Sequence, residues 1–464
     1  MASTFIRRCP LPVSAAEALA WHERDGALER LLPPWENARV VRRSGGVRDG
    51  AETEIVLKLG PIPLRWLARH YGYIAGQQFC DTQISGPFAA WRHEHRFQAN
   101  GDDACTLEDH VEYQLPLGPL GALFGGGMVE QKLERMFAYR QAVTSADLAS
   151  HARFADRERL RVAITGASGL VGGALTAMLT TGGHQVIRLH RSGKQPKSPA
   201  SELLSDAIWQ VETGDLEISP SEPVDAVIHL AGENIAGKRW NPRVMQAIRD
   251  SRVAATRKLC EALARRATPP RTLICASAIG YYGNRGEEAL DEESAAGAGF
   301  LADVCRDWEA ATAPARDAGI RVVNARFGII LSPRGGALAN MLTPFQLGGG
   351  GRIGDGGQFW SWIALDDVVG ALHHALLSED LAGPLNVVSP QPLTNRDFTR
   401  TLGRVLRRPT LLPLPGFAAR LALGKMADEL LLASAKVEPK RLVQTGYRFR
   451  FPELEPALRH LLGR

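Results

Sequence analysis

A strand, a glycine-rich turn and a helix follow one another within residues 160–183, and this order constrains the fold more than any other part of the chain. The apolar run before the turn is typical of a buried parallel strand, and it leads at once into the segment TGASGLVG. In such a turn Gly166 permits the chain reversal, Gly169 lets the backbone approach a pyrophosphate, and Gly172 allows close helix–strand packing. An ordinary glycine-rich loop of another α/β protein is the alternative. The pattern favours a dinucleotide site with the following candidate residues: Thr165, Gly166, Ser168, Gly169, Leu170 and Gly172.

The end of the second predicted strand, residues 185–189, carries cations where an NAD site would carry an acid. Such a site usually places a carboxylate about 20 residues beyond the glycines, where it holds the ribose 2′-hydroxyl. Here the chain offers Arg188, His190, Arg191 and Lys194. Guanidinium groups suit a 2′-phosphate, so we predict NADP(H) as the cofactor, with Arg191 as the first candidate ligand and Arg188 as the second. A solvated basic loop is the alternative, above all for Lys194.

Strand and helix patterns continue to alternate after residue 159, as they do in βαβ units. A third strand is predicted at about 207–211, and a fourth ends in Leu230-Ala231-Gly232, whose small residues leave room for a cofactor at the edge of the sheet. We therefore predict an α/β fold with a doubly wound parallel sheet, the Rossmann arrangement, over residues 159–385. A small substrate or lid module of unknown function is predicted over residues 386–464.

Residues 1–150 predict a separate α+β domain. A capped helix is followed by a series of strands separated by Gly and Pro, and a last helix is predicted over about 128–144. This order resembles the helix-grip fold of the START-like and polyketide cyclase/dehydrase superfamily, and the resemblance implies that the domain binds a hydrophobic ligand. The polar segment 145–161 is predicted to be the connection between domains.

Alternation along one strand of this domain places Trp91, His93, His95 and Phe97 on one face, which the aromatic residues indicate is the inner one. The two histidines either line a ligand cavity, bind a metal together with His110, or are structural residues with satisfied hydrogen bonds. We expect the structural role and no metal.

Four later segments are informative together: HLAGENIAGKRW, SAIGYYG, RFG and WSWIALDDV. They resemble an extended short-chain dehydrogenase/reductase of the sugar-nucleotide epimerase type. More narrowly, they resemble an atypical subgroup known as epimerase-family or cell-division-inhibitor-like oxidoreductases. The resemblance implies that Asp215, followed by Leu216, meets the adenine of the cofactor, although Asp215 is equally suited to forming a turn.

The chain departs from that family at the catalytic residues. Ordinary members use a tyrosine as general acid/base and a lysine four residues later, but the corresponding positions here are Phe300 and Val304. A phenyl ring cannot transfer a proton. The candidate catalytic residues are the substrate-orienting serine, Ser277, with Ala278 as the alternative occupant of its position, and the two phenols Tyr281 and Tyr282, for which packing roles remain open.

The composition excludes several classes of protein. Basic and acidic residues nearly balance, at 55 Lys+Arg against 50 Asp+Glu, without a long basic run, so nucleic acid is not an expected partner. The six cysteines show neither metal-type pairs nor a disulfide framework, which favours reduced structural thiols. Neither a signal peptide nor an apolar run of about 18 residues is visible, so we expect a cytoplasmic protein that does not bind membranes.

Two functions from different classes remain. The first is an NADP(H)-dependent oxidoreductase or epimerase-like enzyme that uses an unusual proton donor on an unidentified small molecule. The second is a catalytically inactive regulator that senses NADPH and holds a hydrophobic ligand in its N-terminal domain. The glycine turn predicts cofactor binding under both hypotheses, and turnover distinguishes them.

Overall fold

The computed structural model describes residues 2–59, 62–116, 118–191, 201–219 and 222–464. The chain divides into two compact units, the first comprising Met1–Glu158, Ala177–Gly183 and Gly463, and the second Arg159–Thr176, His184–Leu462 and Arg464. All six cysteines are buried and free, as their spacing predicted. Within the described ranges, none of the helices combines the length and the apolar character that crossing a bilayer requires.

The first unit is an antiparallel sheet with helices on one face. Its elements are β1 (Ser3–Leu11), α1 (Ala15–Glu23), α2 (Ala27–Leu31), β2 (Ala38–Arg43), β3 (Glu52–Leu59), β4 (Ile62–Ile74), β5 (Gln78–Ser85), β6 (Ala90–Ala99), β7 (Cys105–Gln114) and α3 (Gly118–Ala152). The sheet has seven strands in the order β1-β7-β6-β5-β4-β3-β2. The predicted α+β helix-grip domain is confirmed.

The inner face of this sheet is the predicted one. On β6 the side chains of Trp91, His93, His95 and Phe97 are all buried, whereas their neighbours alternate toward solvent. Trp91 belongs to an apolar cluster that also contains Phe137 of α3, so the long helix covers this face of the sheet.

Helix α3 is longer than predicted, and it includes half of the segment that was expected to connect the domains. The polar composition of residues 145–152 predicts an exposed connection, but the charged side chain of Asp147 in this segment is paired inside the first unit. Asp147 is fully buried and accepts hydrogen bonds from Arg30 Nε (2.7 Å) and Nη2 (2.8 Å). The adjacent Leu148 is also fully buried, so this part of the helix belongs to the core.

The second unit begins with the glycine turn. Its elements are β8 (Arg161–Thr165), α4 (Leu170–Thr181), β9 (Gln185–Arg191), β10 (Leu204–Trp209), β11 (Ala226–His229), α5 (Pro242–Asp250), α6 (Val253–Ala264), β12 (Thr272–Ala278), a 3-10 turn (Ile279–Tyr282), β13 (Ala289–Leu290), α7 (Phe300–Ala310), α8 (Ala313–Asp317), β14 (Arg321–Phe327), β15 (Ile329–Leu331), α9 (Gly336–Gln346), β16 (Phe359–Trp360), β17 (Trp362–Ala364), α10 (Leu365–Leu377), β18 (Gly383–Val387), β19 (Leu393–Thr394), α11 (Asn395–Leu406), α12 (Gly416–Leu423), α13 (Lys425–Leu430), β20 (Lys436–Val437), α14 (Lys440–Gln444) and α15 (Leu454–Leu462).

The main sheet of this unit is parallel, with the strand order β10-β9-β8-β11-β12-β14-β18. The order reverses between β8 and β11, which is the switch point where open α/β sheets bind ligands. The predicted doubly wound parallel sheet is therefore confirmed. Strand β10 begins three residues before the predicted 207–211. Its start is determined by pairing with β9, from Leu204 opposite Val186, and not by the apolar run on which the prediction rested.

The C-terminal segment is tied to the sheet domain through the start of α10. The Asp367 carboxylate is fully buried and accepts hydrogen bonds from the backbone N–H groups of Arg450 (2.7 Å) and Phe451 (2.9 Å) and from the hydroxyl of Tyr447 (3.1 Å). Burial raises the pKa of Asp367, and the backbone donors oppose that rise. The chain after α14 is thereby fixed against α10.

Candidate active site

The glycine turn lies at the switch point, and two of its glycines are required by space. Gly166 has a φ of 71°, and a Cβ added there would lie 2.9 Å from the carbonyl carbon of Leu230. A Cβ on Gly172 would lie 2.2 Å from the carbonyl oxygen of Gly166. Any larger residue at either position would push the turn away from β11 or from α4. The roles predicted for these two glycines therefore match the observed geometry.

The exposed part of the turn is suited to an anion. Ser168 and Gly169 are exposed at the N-terminus of α4, where the first backbone N–H groups of a helix have no partners within the helix. Leu170, the first residue of that helix, is half-buried. The helix N-terminus also carries the positive end of the helix dipole. The cradle thus fits the pyrophosphate of a dinucleotide in shape and in charge.

A buried hydrogen-bond network fixes the turn against the end of β11. Thr165 Oγ1 accepts hydrogen bonds from the backbone N–H groups of Leu230 (3.1 Å) and Ala231 (3.2 Å). Because both lone pairs are then used, its hydroxyl donates to His229 Nδ1 at 2.7 Å, and His229 Nε2 donates to Thr256 Oγ1 at 3.0 Å. Burial lowers the pKa of His229 to about 4, so the ring is neutral at pH 7. Thr165 is fully buried and acts as an anchor of the turn.

The cationic residues at the end of β9 are not equivalent. Arg188 is buried, and its Nε and Nη2 donate to the two carboxylate oxygens of Asp206 at 2.8 and 2.7 Å. His190 Nε2 lies 2.5 Å from the same carboxylate. Arg191 is exposed, and among the described residues its guanidinium has no hydrogen-bond or ion-pair partner. Lys194 lies outside the described residues.

Asp215 and Leu216 follow β10. The Asp215 carboxylate accepts a hydrogen bond from Thr213 Oγ1 at 2.7 Å, and the Asp215 carbonyl accepts from the backbone N–H of Gln210 at 2.9 Å. Leu216 packs at the margin of the main core cluster. These contacts fit the turn-forming alternative for Asp215, whose side chain nevertheless remains exposed.

At the end of β11, Leu230 and Ala231 are half-buried, and Gly232 is exposed. A Cβ on Gly232 would lie 3.4 Å from the guanidinium carbon of Arg252, which is an ordinary contact. The three residues thus adjoin the turn, and Gly232 is not sterically required in the way that Gly166 is.

Ser277 is enclosed by the fold. Its side chain is buried and donates to Glu309 Oε1 at 2.7 Å, and Arg326 binds the same carboxylate through Nε and Nη2, both at 2.7 Å. Because side chains alternate along a strand, the half-buried Ala278 takes the opposite direction. The Ser277 hydroxyl is thus bound inside the fold, and the choice between Ser277 and Ala278 as the substrate-orienting position stays a prediction.

Tyr282 is also enclosed by the fold. Its hydroxyl accepts a hydrogen bond from Arg326 Nη1 at 2.9 Å. Its single proton can be donated either to Asn386 Oδ1 at 2.7 Å or to the carbonyl oxygen of Asp291 at 2.8 Å. Burial raises the pKa of Tyr282 to about 12. A fully buried phenol with all its hydrogen bonds made inside the protein cannot protonate a substrate, so the catalytic role predicted for Tyr282 is not supported.

Tyr281 is the remaining candidate. It is half-buried, and the guanidinium carbon of Arg326 lies 3.5 Å from the centroid of its ring. Such a short cation–π contact fixes the ring against a charge that is itself held by Glu309. The two adjacent tyrosines therefore have different environments, which their sequence could not distinguish.

A carboxylate that sequence reasoning did not find lies at the N-terminus of α7. Glu429, on α13, accepts hydrogen bonds from the backbone N–H groups of Phe300 (2.9 Å) and Leu301 (2.7 Å). The residue before the helix is Gly299, which has no side chain to cap it, so the helix takes its cap from 129 residues away. The sequence around α7 shows only that a capping side chain is missing at Gly299, and it does not indicate that Glu429 takes this role.

Comparison with known proteins identifies the family of the second unit. A model of the NAD dependent epimerase/dehydratase family matches residues 162–387. An epimerase family protein of Mycobacterium bovis is 44% identical over 297 residues, which is 64% of this chain and 96% of the relative. The human epimerase family protein SDR39U1 is 35% identical over 66% of this chain and all of its own length.

The chain belongs to the epimerase family. This epimerase-family protein carries two further segments outside the matched sheet domain: a model for polyketide cyclase/dehydrase and lipid transport matches residues 11–138, and a domain of unknown function, DUF1731, matches residues 414–461. The predicted resemblances to both superfamilies are therefore confirmed.

Two solved structures extend the comparison to the epimerase-family fold. A nucleoside-diphosphate sugar epimerase from Corynebacterium glutamicum is 35% identical with a TM-score of 0.76, covering 100% of this chain and 90% of its own. Human SDR39U1 (isoform 2), solved with NADPH, is 34% identical with a TM-score of 0.60, covering 65% of this chain and 99% of its own. The protein thus has an NAD(P)-binding type of fold, and Glu429 lies within its DUF1731 segment.

Proposed function

We propose that the second unit binds NADP(H) across the glycine turn and that Arg191 recognises the 2′-phosphate. The observation that carries the proposal is the steric requirement for Gly166 and Gly172 at the switch point of a parallel sheet. Arg191 is the exposed cation at the end of β9, whereas Arg188 is held by Asp206. The NADPH-bound human relative supports the same choice of cofactor.

The chain's own groups have separate tasks in this proposal. The first-turn N–H groups of α4 bind the pyrophosphate, and the small residues at the end of β11 leave space for the rest of the cofactor. NADP(H) supplies or accepts a hydride when bound. The Thr165 network holds the turn and the end of β11 in register.

The reaction that we propose is oxidation–reduction or epimerisation of an unidentified small molecule. Tyr281 is the candidate for the proton transfer, since Ser277 and Tyr282 are enclosed and Phe300 and Val304 have no ionisable group. Glu429 orders the start of α7, the helix that begins at Phe300, by accepting hydrogen bonds from its first N–H groups.

Cofactor choice is tested by measuring NADPH and NADH affinities of the wild type and of Arg191→Ala. A charge-assisted hydrogen bond is worth about 1.5–3 kcal/mol, so we expect NADPH binding to weaken about 10- to 100-fold while NADH binding stays unchanged. Arg257→Ala, an exposed arginine on α6 that pairs with Glu261, is the matched control and should alter neither affinity. Equal wild-type affinities for the two nucleotides would contradict the proposal.

Turnover is tested by NADPH oxidation with a panel of carbonyl compounds and sugar nucleotides. Tyr281→Phe should lower kcat with little change in NADPH affinity, whereas Tyr71→Phe in the first unit should have no effect. Activity that survives in Tyr281→Phe assigns the proton transfer to another group.

A second function is favoured by one observation: the usual tyrosine and lysine positions hold Phe300 and Val304, and Val304 is buried. A protein without an acid/base group at that place would bind NADPH and act as a sensor, with a hydrophobic ligand in its first unit. Saturable NADPH binding without turnover across the whole panel would support this function over the enzymatic one.

A further inference from the structure

Four ionisable side chains converge on the inner face of the first unit. Asp81 on β5 is the direct cross-strand partner of His93 on β6, and Asp109 on β7 is the partner of His95. His93, His95 and Asp109 are each less than 10% exposed. The sequence placed the two histidines on this face, but it gave no reason to add acids that lie 12 and 14 residues away from them.

Both imidazole rings lie between the two carboxylates. On one side, His93 Nδ1 and His95 Nε2 lie 3.3 and 3.8 Å from Asp81 Oδ2. On the other side, His93 Nε2 and His95 Nδ1 lie 3.3 and 2.8 Å from Asp109 Oδ1. Each ring thus turns one nitrogen toward Asp81 and the other toward Asp109.

The atoms on the Asp81 side have the spacing of metal ligands. One nitrogen from each histidine and one oxygen of Asp81 all lie within 4.8 Å of one another. Bonds of about 2.0–2.2 Å from nitrogen and oxygen to a tetrahedral metal place neighbouring ligand atoms roughly 3.3–3.6 Å apart. The two distances to Asp81, 3.3 and 3.8 Å, differ from this range by only a few tenths of an ångström.

Asp109 has the place of an outer carboxylate. Histidines that bind a metal through one ring nitrogen usually present the other to a carboxylate or carbonyl, which fixes the ring and its tautomer. Here one oxygen of Asp109 faces the far nitrogen of both rings. His95 is buried, and its Nδ1 lies 2.8 Å from Asp109 Oδ1, the shorter of the two distances on this side.

Without a metal the cluster is an ion network. Burial opposes the charge of His93, but the hydrogen bonds and charges of Asp109 and Asp81 raise its pKa to about 9. Burial and the charge of His93 lower the pKa of His95 to about 3. Arg140 on α3 also interacts favourably with both carboxylates.

We propose that Asp81, His93 and His95 bind one divalent transition-metal ion, of the Zn²⁺, Fe²⁺ or Co²⁺ type, with Asp109 as the positioning residue. Two imidazoles and a carboxylate form a donor set that suits these ions. Three protein ligands leave a coordination position for water or for a polar group of a ligand held in this domain. His110 is not part of the site, because it alternates to the other face of β7 from Asp109.

The test uses the full-length protein after chelation and exchange into metal-free buffer. Titration with Co²⁺ should give visible ligand-field absorption that saturates at one ion per chain, and Zn²⁺ should displace it. His95→Ala should abolish the absorption. Asp109→Asn should weaken the affinity about 10- to 100-fold, as loss of an outer carboxylate does.

His110→Ala is the matched control, with the same residue type on the same sheet, and it should bind as the wild type does. Circular dichroism establishes that each variant is folded, and Asp81→Asn replaces His95→Ala if the latter is not. Failure of the wild type to take up a stoichiometric ion overturns the proposal whatever the variants do. Uptake that is unchanged in a folded Asp81→Asn or His95→Ala variant overturns it as well.

Discussion

Replacing Gly172 by alanine should disrupt both the glycine turn and NADPH binding. The added Cβ would lie 2.2 Å from the Gly166 carbonyl oxygen and 2.8 Å from the Ala167 Cα, whereas non-bonded carbon contacts are about 3.5–4.0 Å. Both atoms belong to the backbone, so no side-chain rotation can relieve the contact. The turn must therefore move relative to α4 by roughly an ångström, at a cost of about 1–3 kcal/mol of unfolding free energy.

Gly173→Ala is the control for this change. Its Cβ would lie 3.5 Å from the Ala167 carbonyl oxygen, an ordinary contact, and the residue is in the same helix. Alanine is favoured over glycine inside a helix by about 0.5–1 kcal/mol, so this variant should be as stable as the wild type or more so. The two substitutions add the same methyl group to adjacent residues.

Urea unfolding measures the stability of both variants, and nucleotide fluorescence titration measures NADPH affinity. We expect Gly172→Ala to bind NADPH at least 10-fold more weakly, because displaced amides lose charge-assisted hydrogen bonds worth about 1.5–3 kcal/mol. Equal stability of the two variants would refute the steric argument. A destabilised Gly172→Ala that still binds NADPH like the wild type would refute the placement of the cofactor at this turn.

Three further predictions concern buried polar groups. Thr165→Val should lower the unfolding free energy by about 1–3 kcal/mol, because the Ala231 N–H loses its acceptor while the Leu230 N–H keeps the Thr165 carbonyl at 3.2 Å; Thr165→Ser should stay near the wild type in the same urea titration. Burial lowers the pKa of His229 from 6.5 to about 4 on folding, so between these values the unfolded chain binds a proton that the folded chain does not. The free energy of unfolding is therefore fully retained above pH 6.5 and decreases as the pH falls toward 4. His229→Asn should show a shallower decrease over this interval, by up to about 1.4 kcal/mol per pH unit. Asp147→Ala should cost about 3–5 kcal/mol, because it leaves the buried Arg30 guanidinium without that carboxylate, and Asp147→Ala combined with Arg30→Met should recover much of the loss in thermal unfolding.

The sheet domain was predictable because its signals are local. The strand, turn and helix around Gly166 follow one another without a gap, and the positive φ of that glycine is a property of a single residue. Alternation along β6 is equally local, since it depends only on the pleat of one strand. Features that depend only on residues close together in the chain could therefore be predicted from the sequence.

The contents of the sites were less predictable because they depend on pairing between distant segments. The sequence predicts Ser277 and Tyr282 as catalytic residues, but in the folded protein Ser277 donates a hydrogen bond to Glu309 and Tyr282 accepts one from Arg326. Asp81 entered the histidine cluster only through the register of β5 against β6. In the same way, the composition of residues 145–152 predicts a linker because Arg30, which binds Asp147 in this segment, lies 117 residues earlier.

Phe300, which we predict to take the position of the usual tyrosine, contacts the C-terminal segment. Phe300 packs against Trp240, with ring centroids 5.2 Å apart, in an apolar cluster that also contains Met426. A tyrosine in place of Phe300 would bring a hydroxyl into this contact, which costs free energy unless the hydroxyl finds a hydrogen-bond partner. The same contact places Glu429, three residues after Met426, on the N–H groups that begin α7. Phe300 thus takes part in the contact that attaches the C-terminal segment to the start of α7, where Glu429 accepts hydrogen bonds from the first N–H groups of the helix.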